Sequence, residues 1–462
     1  MTEPAQLDVS RKLTLEDVVK ASKFEVRLDL KPQDRARIDA VRRSVIERLR
    51  SDDVRLYGFN TGFGDNRIKP TIPIAFRGVI QDNLILSHCA GHGPAIDERI
   101  VRAALAVRAR TLALGPSAIR SRVLSALCSL YNSGLVPVVP TFGSVGASGD
   151  LAPLSHLAAT LMGRGTVTVE GRPTAVDQAL LERFGVEPVI YRPSEEFPGV
   201  EGPESSFGPK EGLALNNGTS FMSAWLALAV SDAESLLWHA DLALALSLEA
   251  LCGVKDAFDK GLQDLRPHRG VQACAERVSG FLAGSRLTFD RGRATESVTT
   301  ARTVAGGVVD GVQDDYGLRC GPVVHGTAYD AIEAARRTVE TEINSVTDNP
   351  VVVDGDVLSG GHFHGMPLSF AADQLRTAMA IVGGISERRT AKLLNDRRSY
   401  GLPRHLVVDD PDGVKSGWMI AQYAAASMVN ELKTRSMPYC VGNVTTGNES
   451  EDFVSMLSLI HI

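Results

Sequence analysis

Residues 220–252 are rich in alanine and leucine and carry few charges. A helix of this composition has no polar face to turn to solvent, so it must be buried on most sides. We predict a pair of buried helices here, and further long helices at residues 325–345 and 369–395, where apolar residues recur at helical spacing. The chain is therefore expected to be mainly α-helical, with a long central bundle.

The preceding part of the chain mixes helices with loops. Apolar residues recur every three or four positions within residues 31–50, and Thr14 precedes two acidic residues, as at a helix N-terminus. Short strands are expected at residues 167–170 and 351–353, each followed by a turn signal. These signals predict a loop-rich N-terminal part with little sheet.

Residues 192–209 are rich in proline, glycine, serine and glutamate, which is typical of an exposed loop, either a lid or an inserted linker. Length alone suggests about three domains. The helical signals instead favour an N-terminal part, residues 1–205, and a helical part, residues 206–462. No internal repeat interrupts this division.

Composition excludes several classes of function. The 49 basic and 55 acidic residues leave a net charge of −6, which argues against a nucleic-acid or anionic-membrane partner. The longest apolar stretch, residues 221–230, is far too short to span a bilayer. The six cysteines are scattered, without zinc-ribbon or disulfide spacing, and the start lacks a signal peptide. We expect a cytoplasmic protein.

Residues 143–156 form the densest motif, with three glycines before a predicted helix. A nucleophile elbow would need glycine where Asp150 stands, and a phosphate-binding loop would need a Gly-Lys-Ser/Thr ending. On glycine content alone, the motif reads as a tight structural turn.

The triplet Ala147, Ser148 and Gly149 permits another chemistry. In a tight turn, the Gly149 nitrogen can attack the Ala147 carbonyl carbon, because neither residue has a bulky side chain. Loss of one water from the new ring and one from the Ser148 side chain leaves a methylidene-imidazolone. This group is an exposed electrophile.

The triplet, with motifs spread from residue 14 to residue 456, resembles the aromatic amino acid ammonia-lyase and aminomutase family. The pattern is most like that of histidine ammonia-lyases. The resemblance implies a carbon–nitrogen lyase with the mainly α fold of that family. It further implies a 4-methylideneimidazole-5-one group formed autocatalytically, without metal or nucleotide. The resemblance also implies a small amino acid substrate and a homotetramer with shared active sites.

The resemblance also assigns roles to residues of four motifs. Tyr57, in the glycine-rich run of residues 57–64, would remove a β-proton, for which it needs a lowered pKa. Arg319 would hold the substrate carboxylate bidentately. The other implied pocket residues are Asn217, Gln313, Tyr316 and Phe363.

Each of these motifs also has a plain structural interpretation. Tyr57 suits a packing tyrosine in a turn, Asn217 suits a helix cap, and residues 314–319 suit a surface ion-pair cluster. His362 and His364 have no third ligand at metal-binding spacing, so no metal is expected.

Three residues bear on the substrate. Ser87 and His88 resemble the polar pair of histidine ammonia-lyases, and a buried imidazole or phenol needs such hydrogen-bond partners. Glu451 would suit an imidazole and would be costly beside a phenyl ring. These residues favour conversion of L-histidine to trans-urocanate. Tyrosine or phenylalanine ammonia-lyase, tyrosine 2,3-aminomutase and, outside the family, a serine hydrolase or a non-catalytic helical scaffold stay open.

Some positions depart from the histidine ammonia-lyase pattern. Ser450 replaces a glutamine, Phe453 replaces a histidine, residues 430–433 read Asn-Glu-Leu-Lys, and residues 321–325 read Gly-Pro-Val-Val-His where a glutamine-containing run is usual. Residues 192–206 resemble an insertion. The chain is also expected to be shorter at its C-terminus than family members.

Overall fold

The computed structural model describes residues 4–50, 54–288 and 313–457. Helices dominate these residues, which confirms the mainly α fold class. The α-helices are α1 (Leu15–Ser22), α2 (Pro32–Arg48), α3 (Val79–His88), α4 (Glu98–Ala113), α5 (Ser121–Asn132), α6 (Leu151–Leu161), α7 (Gln178–Arg183), α8 (Glu211–Asn216), α9 (Ser220–Ala250), α10 (Lys260–Asp264), α11 (Arg269–Phe281), α12 (Tyr316–Arg319), α13 (Gly321–Glu342), α14 (Met366–Leu393) and α15 (Met419–Arg435).

The strands are short. They are β1 (Ala5–Asp8), β2 (Val26–Asp29), β3 (His92–Ala95), β4 (Val136–Pro137), β5 (Pro140–Phe142), β6 (Thr166–Val169), β7 (Arg172–Ala175), β8 (Val351–Val353) and β9 (Asp356–Leu358). β1 pairs with β2 in parallel, and β3 pairs with β5, β4 with β6, β6 with β7, and β8 with β9 in antiparallel fashion. The expected strands at residues 167–170 and 351–353 are thus β6 and β8.

The chain forms two compact units that are each discontinuous in sequence. The first unit comprises residues 1–229, 336–370 and 439–462, and the second comprises residues 230–335 and 371–438. The division of the chain into residues 1–205 and 206–462 stays a prediction.

Local sequence signals account for the helix ends. The Thr14 hydroxyl accepts from the backbone N–H of Asp17, whose carboxylate accepts from the Thr14 N–H, so the predicted cap of α1 is confirmed as a capping box. The predicted helix pair at residues 220–252 is wrong, because α9 is one continuous helix. Its sequence holds no glycine or proline that would stop it.

The loop at residues 192–209 is less exposed than its composition predicts. Phe197 is buried in an apolar cluster of the first unit with Leu56 and Phe59. Arg42 makes a paired contact with Glu196, with Nε–Oε1 and Nη2–Oε2 distances of 2.8 and 2.7 Å. This segment therefore anchors the residues on both sides of Tyr57, because Leu56 and Phe59 share its core.

No helix in the described residues joins the length and the apolar character that crossing a bilayer requires. Leu318 of α12 is completely buried in a separate apolar cluster of the second unit, with Leu244, Leu248 and Val278. α12 is therefore a short helix with a firmly packed side.

Candidate active site

A cavity of about 630 Å³ in the first unit collects residues from distant parts of the sequence. Six residues selected from the sequence line it, namely Tyr57, Ser87, His88, Ser148, Asn217 and Glu451. Apolar side chains, including Phe63, Ile80, Leu84 and Leu213, form much of the remaining wall. A mostly apolar cavity with a few convergent polar groups has the usual character of a small-molecule site.

The Ala147–Gly149 triplet lies in a sharply turned loop ahead of α6. Ser148 has a φ of +50° and Gly149 a φ of +80°, both in the left-handed region. A side chain on Gly149 would lie 2.2 Å from the Gly218 carbonyl oxygen, so only glycine fits there. The loop is therefore held in a conformation that is costly for Ser148.

Backbone bonds join this loop to the segment around Asn217. The Asp150 N–H donates to the Gly218 carbonyl at 2.7 Å, and the Gly218 N–H donates to the Ser148 carbonyl at 3.3 Å. Buried Arg108 donates to the Asn217 carbonyl at 2.6 Å. These bonds place Asn217 beside the triplet, and its Oδ1 has no hydrogen-bond partner among the described residues.

Asp150 is a buried carboxylate directly after the triplet. Its Oδ2 accepts from the N–H groups of Phe221 and Met222, at 2.8 and 3.1 Å, in the first turn of α9. Within the described part of the chain, nothing bonds Oδ1. Burial raises the pKa of Asp150 to about 7, despite the two N–H donors and nearby Arg108.

The segment that carries Glu451 packs against the triplet loop. The Met456 N–H donates to the Val145 carbonyl at 3.0 Å. The Ser148 hydroxyl donates to Glu451 Oε1 at 3.0 Å, and the Thr446 hydroxyl donates to Oε2 at 2.7 Å. Both oxygens of Glu451 are thus oriented, one by Ser148 of the triplet and the other by Thr446.

Tyr57 lies at the start of the glycine-rich loop. Its hydroxyl oxygen accepts from the Gly64 N–H at 3.0 Å, and its ring meets Phe63 edge-on at 6.4 Å between centroids. Gln81 of α3 donates to the Gly58 carbonyl at 2.9 Å and so holds the loop against α3.

The pKa of Tyr57 departs from the expected direction. A base requires a lowered pKa, yet burial raises it, and the charge of Glu451 adds to that effect. The Gly64 N–H and the charge of Arg67 act in the opposite direction. The single chain therefore keeps Tyr57 protonated at neutral pH.

Ser87 and His88 end α3 at the cavity wall. His88 Nδ1 lies 2.8 Å from the Leu84 carbonyl oxygen. Because a carbonyl only accepts, Nδ1 carries the proton, and Nε2 is the acceptor of the neutral ring. The Ser87 hydroxyl also donates to Leu84, at 2.9 Å.

Phe363 is half-buried in the first unit, ahead of α14, but it does not line the cavity described above. Nε2 of its neighbour His364 lies 3.1 Å from the Phe453 carbonyl oxygen, and the His364 and Phe453 rings stack. His364 therefore links Phe363 to the segment that carries Glu451.

Gln313, Tyr316 and Arg319 belong to the second unit, and none of them lines the cavity. Gln313 is exposed, and Tyr316 is 68% exposed. The Arg319 Nε donates to the Asp314 carbonyl at 2.8 Å, and its guanidinium stacks on the Tyr316 ring. Tyr316 and Arg319 thus contact each other on α12.

Two residues near the triplet were not selected from the sequence as site residues. Asp150 was considered only as a misfit to other motifs, although an acid at the start of an apolar helix is itself a signal. Thr446 gives no signal in the sequence, because its contact with Glu451 depends on a backbone bridge between the two residues.

Residues 13–460 match the sequence profile of the family described as "Aromatic amino acid lyase". The chain is 42% identical to a histidine ammonia-lyase of Gloeobacter violaceus and 41% identical to one of Deinococcus radiodurans, over 96% and 97% of its length. It covers 80% and 79% of those relatives.

Solved structures give the same picture. Tyrosine aminomutase from Streptomyces globisporus matches with a TM-score of 0.87 and 34% identity over 99% of this chain and 83% of its own. Histidine ammonia-lyase from Trypanosoma cruzi matches with a TM-score of 0.81 and 33% identity over 98% of this chain and 79% of its own. The chain therefore belongs to the aromatic amino acid lyase family.

Proposed function

We propose that the protein eliminates ammonia from L-histidine and releases trans-urocanate. One observation carries this proposal: Ser148 of the triplet donates to Glu451 in a cavity that Tyr57 and His88 also line. A carboxylate and a neutral imidazole acceptor in one wall suit a substrate ring with N–H groups. The histidine ammonia-lyases among its relatives support the same substrate.

The residues around the triplet fit a 4-methylideneimidazole-5-one group formed from Ala147, Ser148 and Gly149. The left-handed turn brings the backbone into a tight loop, and Gly149 lacks the side chain that would block closure. When formed, this group supplies the electrophile that makes the substrate amine a leaving group. No metal or nucleotide enters the proposal.

The chain's own residues would bind and orient the substrate. Glu451 and His88 hold the imidazole, and Asn217 offers its unpaired Oδ1 near the triplet. Tyr57 takes the β-proton on its phenolic oxygen. Because burial raises its pKa, Tyr57 needs added positive charge in the assembled site to act as a base.

We propose that Arg319, with Gln313, Tyr316 and Phe363, completes the site in a homotetramer. Arg319 then holds the carboxylate by a paired contact that lysine could not reproduce. Exposed apolar side chains on and beside α15 support association, among them Trp418, Ile420, Tyr423 and Met428. The scattered cysteines, which form no disulfide in the described residues, support a reducing, cytoplasmic setting.

A tyrosine 2,3-aminomutase is the second candidate, because the Streptomyces globisporus tyrosine aminomutase matches at a TM-score of 0.87. An aminomutase would return ammonia to the β-carbon, whereas a lyase releases the free unsaturated acid. The charge of Glu451 favours histidine over tyrosine, because a phenol does not need an anionic partner.

The test is incubation of the purified protein with histidine, tyrosine or phenylalanine while the ultraviolet absorbance of the conjugated acid is followed. Growth of urocanate absorbance with histidine, together with free ammonia, is expected. Absorbance growth with tyrosine alone would overturn the substrate, and a β-amino acid product would favour the aminomutase.

A further inference from the structure

A cluster of buried polar side chains lies in the second unit. Asp241 of α9, Cys274 of α11 and His325 of α13 are each at most 2% exposed. His325 Nδ1 lies 2.6 Å from Asp241 Oδ1, and the Cys274 thiol donates to the same oxygen at 3.1 Å. Arg277 donates to Asp241 Oδ2 at 2.5 Å. The buried carboxylate is thus fully partnered.

The other nitrogen of His325 leads from this cluster to α12. Arg389 Nη1 lies 3.4 Å from His325 Nε2 and donates to the Gly317 carbonyl, also at 3.4 Å. Arginine only donates, so His325 Nε2 must accept and Nδ1 must carry the proton that binds Asp241. We assign this neutral tautomer from the network.

Arg389 depends on these two contacts for its place. Its side chain is buried, and no described residue accepts from Nη2. The two bonds of Nη1 therefore carry much of its orientation. Loss of the His325 acceptor would free Nη1 to leave the Gly317 carbonyl.

Gly317 lies within α12, between Tyr316 and Arg319. Other contacts of this segment also come from distant residues: the Val254 N–H donates to Asp314 Oδ2 at 2.6 Å, and Lys392 of α14 donates to Asp315 at 2.7 Å. The Asp241–His325–Arg389 network adds a hydrogen-bonded connection between α12 and three long helices, α9, α13 and α14.

We propose that His325 is a positioning residue, which acts through Arg389 and the Gly317 carbonyl to orient Arg319 toward the substrate carboxylate. This inference rests on the proposed function. His325 closes the run of residues 321–325 that departs from the family pattern, so it gives this chain a buried relay at a position that the sequence already singled out.

The same three side chains form a donor set that zinc accepts, since cysteine, histidine and aspartate are all zinc ligands. The surroundings oppose a cation. Arg277 bonds Asp241 Oδ2, and Arg389 faces His325 Nε2, so two guanidinium groups flank the cluster. The geometry therefore points to a hydrogen-bonded relay, and bound zinc is an outcome that the test must detect.

The test compares His325→Asn with Cys274→Ala in the full-length protein. Asparagine keeps an N–H near the Nδ1 position but places no acceptor at the Nε2 position that faces Arg389. The cysteine change removes a donor to Asp241 and leaves the His325–Arg389–Gly317 contacts in place. The probes are two inhibitors, histamine, which lacks the carboxylate, and imidazolepropionate, which keeps it.

For His325→Asn we expect KM for histidine and the inhibition constant of imidazolepropionate to rise by about tenfold, with kcat changed far less. Histamine inhibition should be unchanged. Cys274→Ala should match the wild type in KM, in kcat and in both inhibition constants. Arg319→Gln should show the same selective loss as His325→Asn, since both act at the carboxylate.

Equal weakening of both inhibitors, unchanged constants in His325→Asn, or one zinc per chain that this change removes would overturn the proposal. If His325→Asn does not fold, Arg389→Lys replaces it, because lysine keeps a buried cation but lacks the planar fork that reaches two acceptors. A wild-type protein that releases no urocanate from histidine would count against the proposed substrate alone. The comparison would then use tyramine and hydroxyphenylpropionate.

Discussion

The Ser148 hydroxyl donates a 3.0 Å hydrogen bond to Glu451 Oε1, although the two residues are 303 positions apart in the chain. This contact joins the residue that would supply the electrophile to the residue that would select the substrate ring. Thr446 holds the second Glu451 oxygen at 2.7 Å, so the carboxylate has one defined orientation. Formation of the prosthetic group and choice of substrate therefore share one wall of the cavity.

Ser148→Ala should abolish turnover, because alanine has no hydroxyl to lose during ring formation. Intact-mass spectrometry should find the wild type lighter than its sequence by two waters. The variant should not lose the water that comes from the Ser148 side chain. Ser345→Ala, which removes a hydroxyl bonded to the Thr341 carbonyl, serves as the control and should keep the wild-type mass loss. Retained activity in Ser148→Ala would remove the proposed electrophile.

Glu451→Gln should lower kcat/KM for histidine by about 10- to 100-fold, the usual worth of a hydrogen bond to a charged group. The change keeps the shape but removes the charge and replaces one acceptor oxygen by an NH2 donor. The relative rate with phenylalanine should rise. Glu449→Gln removes a neighbouring, exposed charge and should leave the ratio of substrates unchanged. An equal loss with histidine, tyrosine and phenylalanine would contradict a selective role for Glu451.

Tyr57→Phe should lower kcat by about 10²- to 10⁴-fold, as expected for loss of a general base. Since burial raises the pKa of Tyr57, its reactive phenolate grows as pH rises, and wild-type kcat should climb on the alkaline side of neutrality. The residual rate of the variant should lack that rise. Tyr329→Phe is the matched control, and an unchanged alkaline rise in Tyr57→Phe would assign the base elsewhere.

Asp150→Asn should change how stability depends on pH. The folded pKa of Asp150, about 7, lies above its ordinary value of 3.8, so folding favours the protonated form. Its contribution is complete below about pH 4 and is lost as pH rises through 7, at about 1.4 kcal/mol per pH unit.

The measurement is the unfolding free energy of Ser148→Ala with and without Asp150→Asn, so that ring formation does not intervene. The protein with Asp150 should lose stability relative to the asparagine variant between about pH 4 and pH 7, and no further loss should follow above that range. A difference that does not vary with pH would contradict the raised pKa.

Co-expression of Tyr57→Phe with Arg319→Gln should give, at histidine concentrations below KM, more activity than either variant has alone. If the two residues reach one site from different subunits, random mixing leaves about a quarter of the sites with both native side chains. A protein in which every subunit carries both changes is the inactive control. No recovery in a confirmed mixed tetramer would place both residues in one subunit's site.

Some structural features followed from local sequence. The capping box of α1 needs only Thr14 and Asp17, three positions apart, and the strand β8 needs only a short apolar run before a turn. Local rules failed where packing decides. Residues 220–252 are predicted as two helices, but nothing in the sequence stops the helix, and burial of much of its surface stabilises one continuous helix.

The chemistry proposed for the triplet depends on the sequence, because Ala-Ser-Gly offers an unhindered nitrogen and a hydroxyl to lose in adjacent positions. The sequence also determined the mainly helical class, through periodicity that acts over a few turns. Which side chains surround the triplet was decided by the tertiary structure. Glu451 reaches Ser148, and burial sets the pKa of Tyr57 and Asp150, through packing of segments hundreds of positions apart, and such contacts leave no periodic trace in the chain.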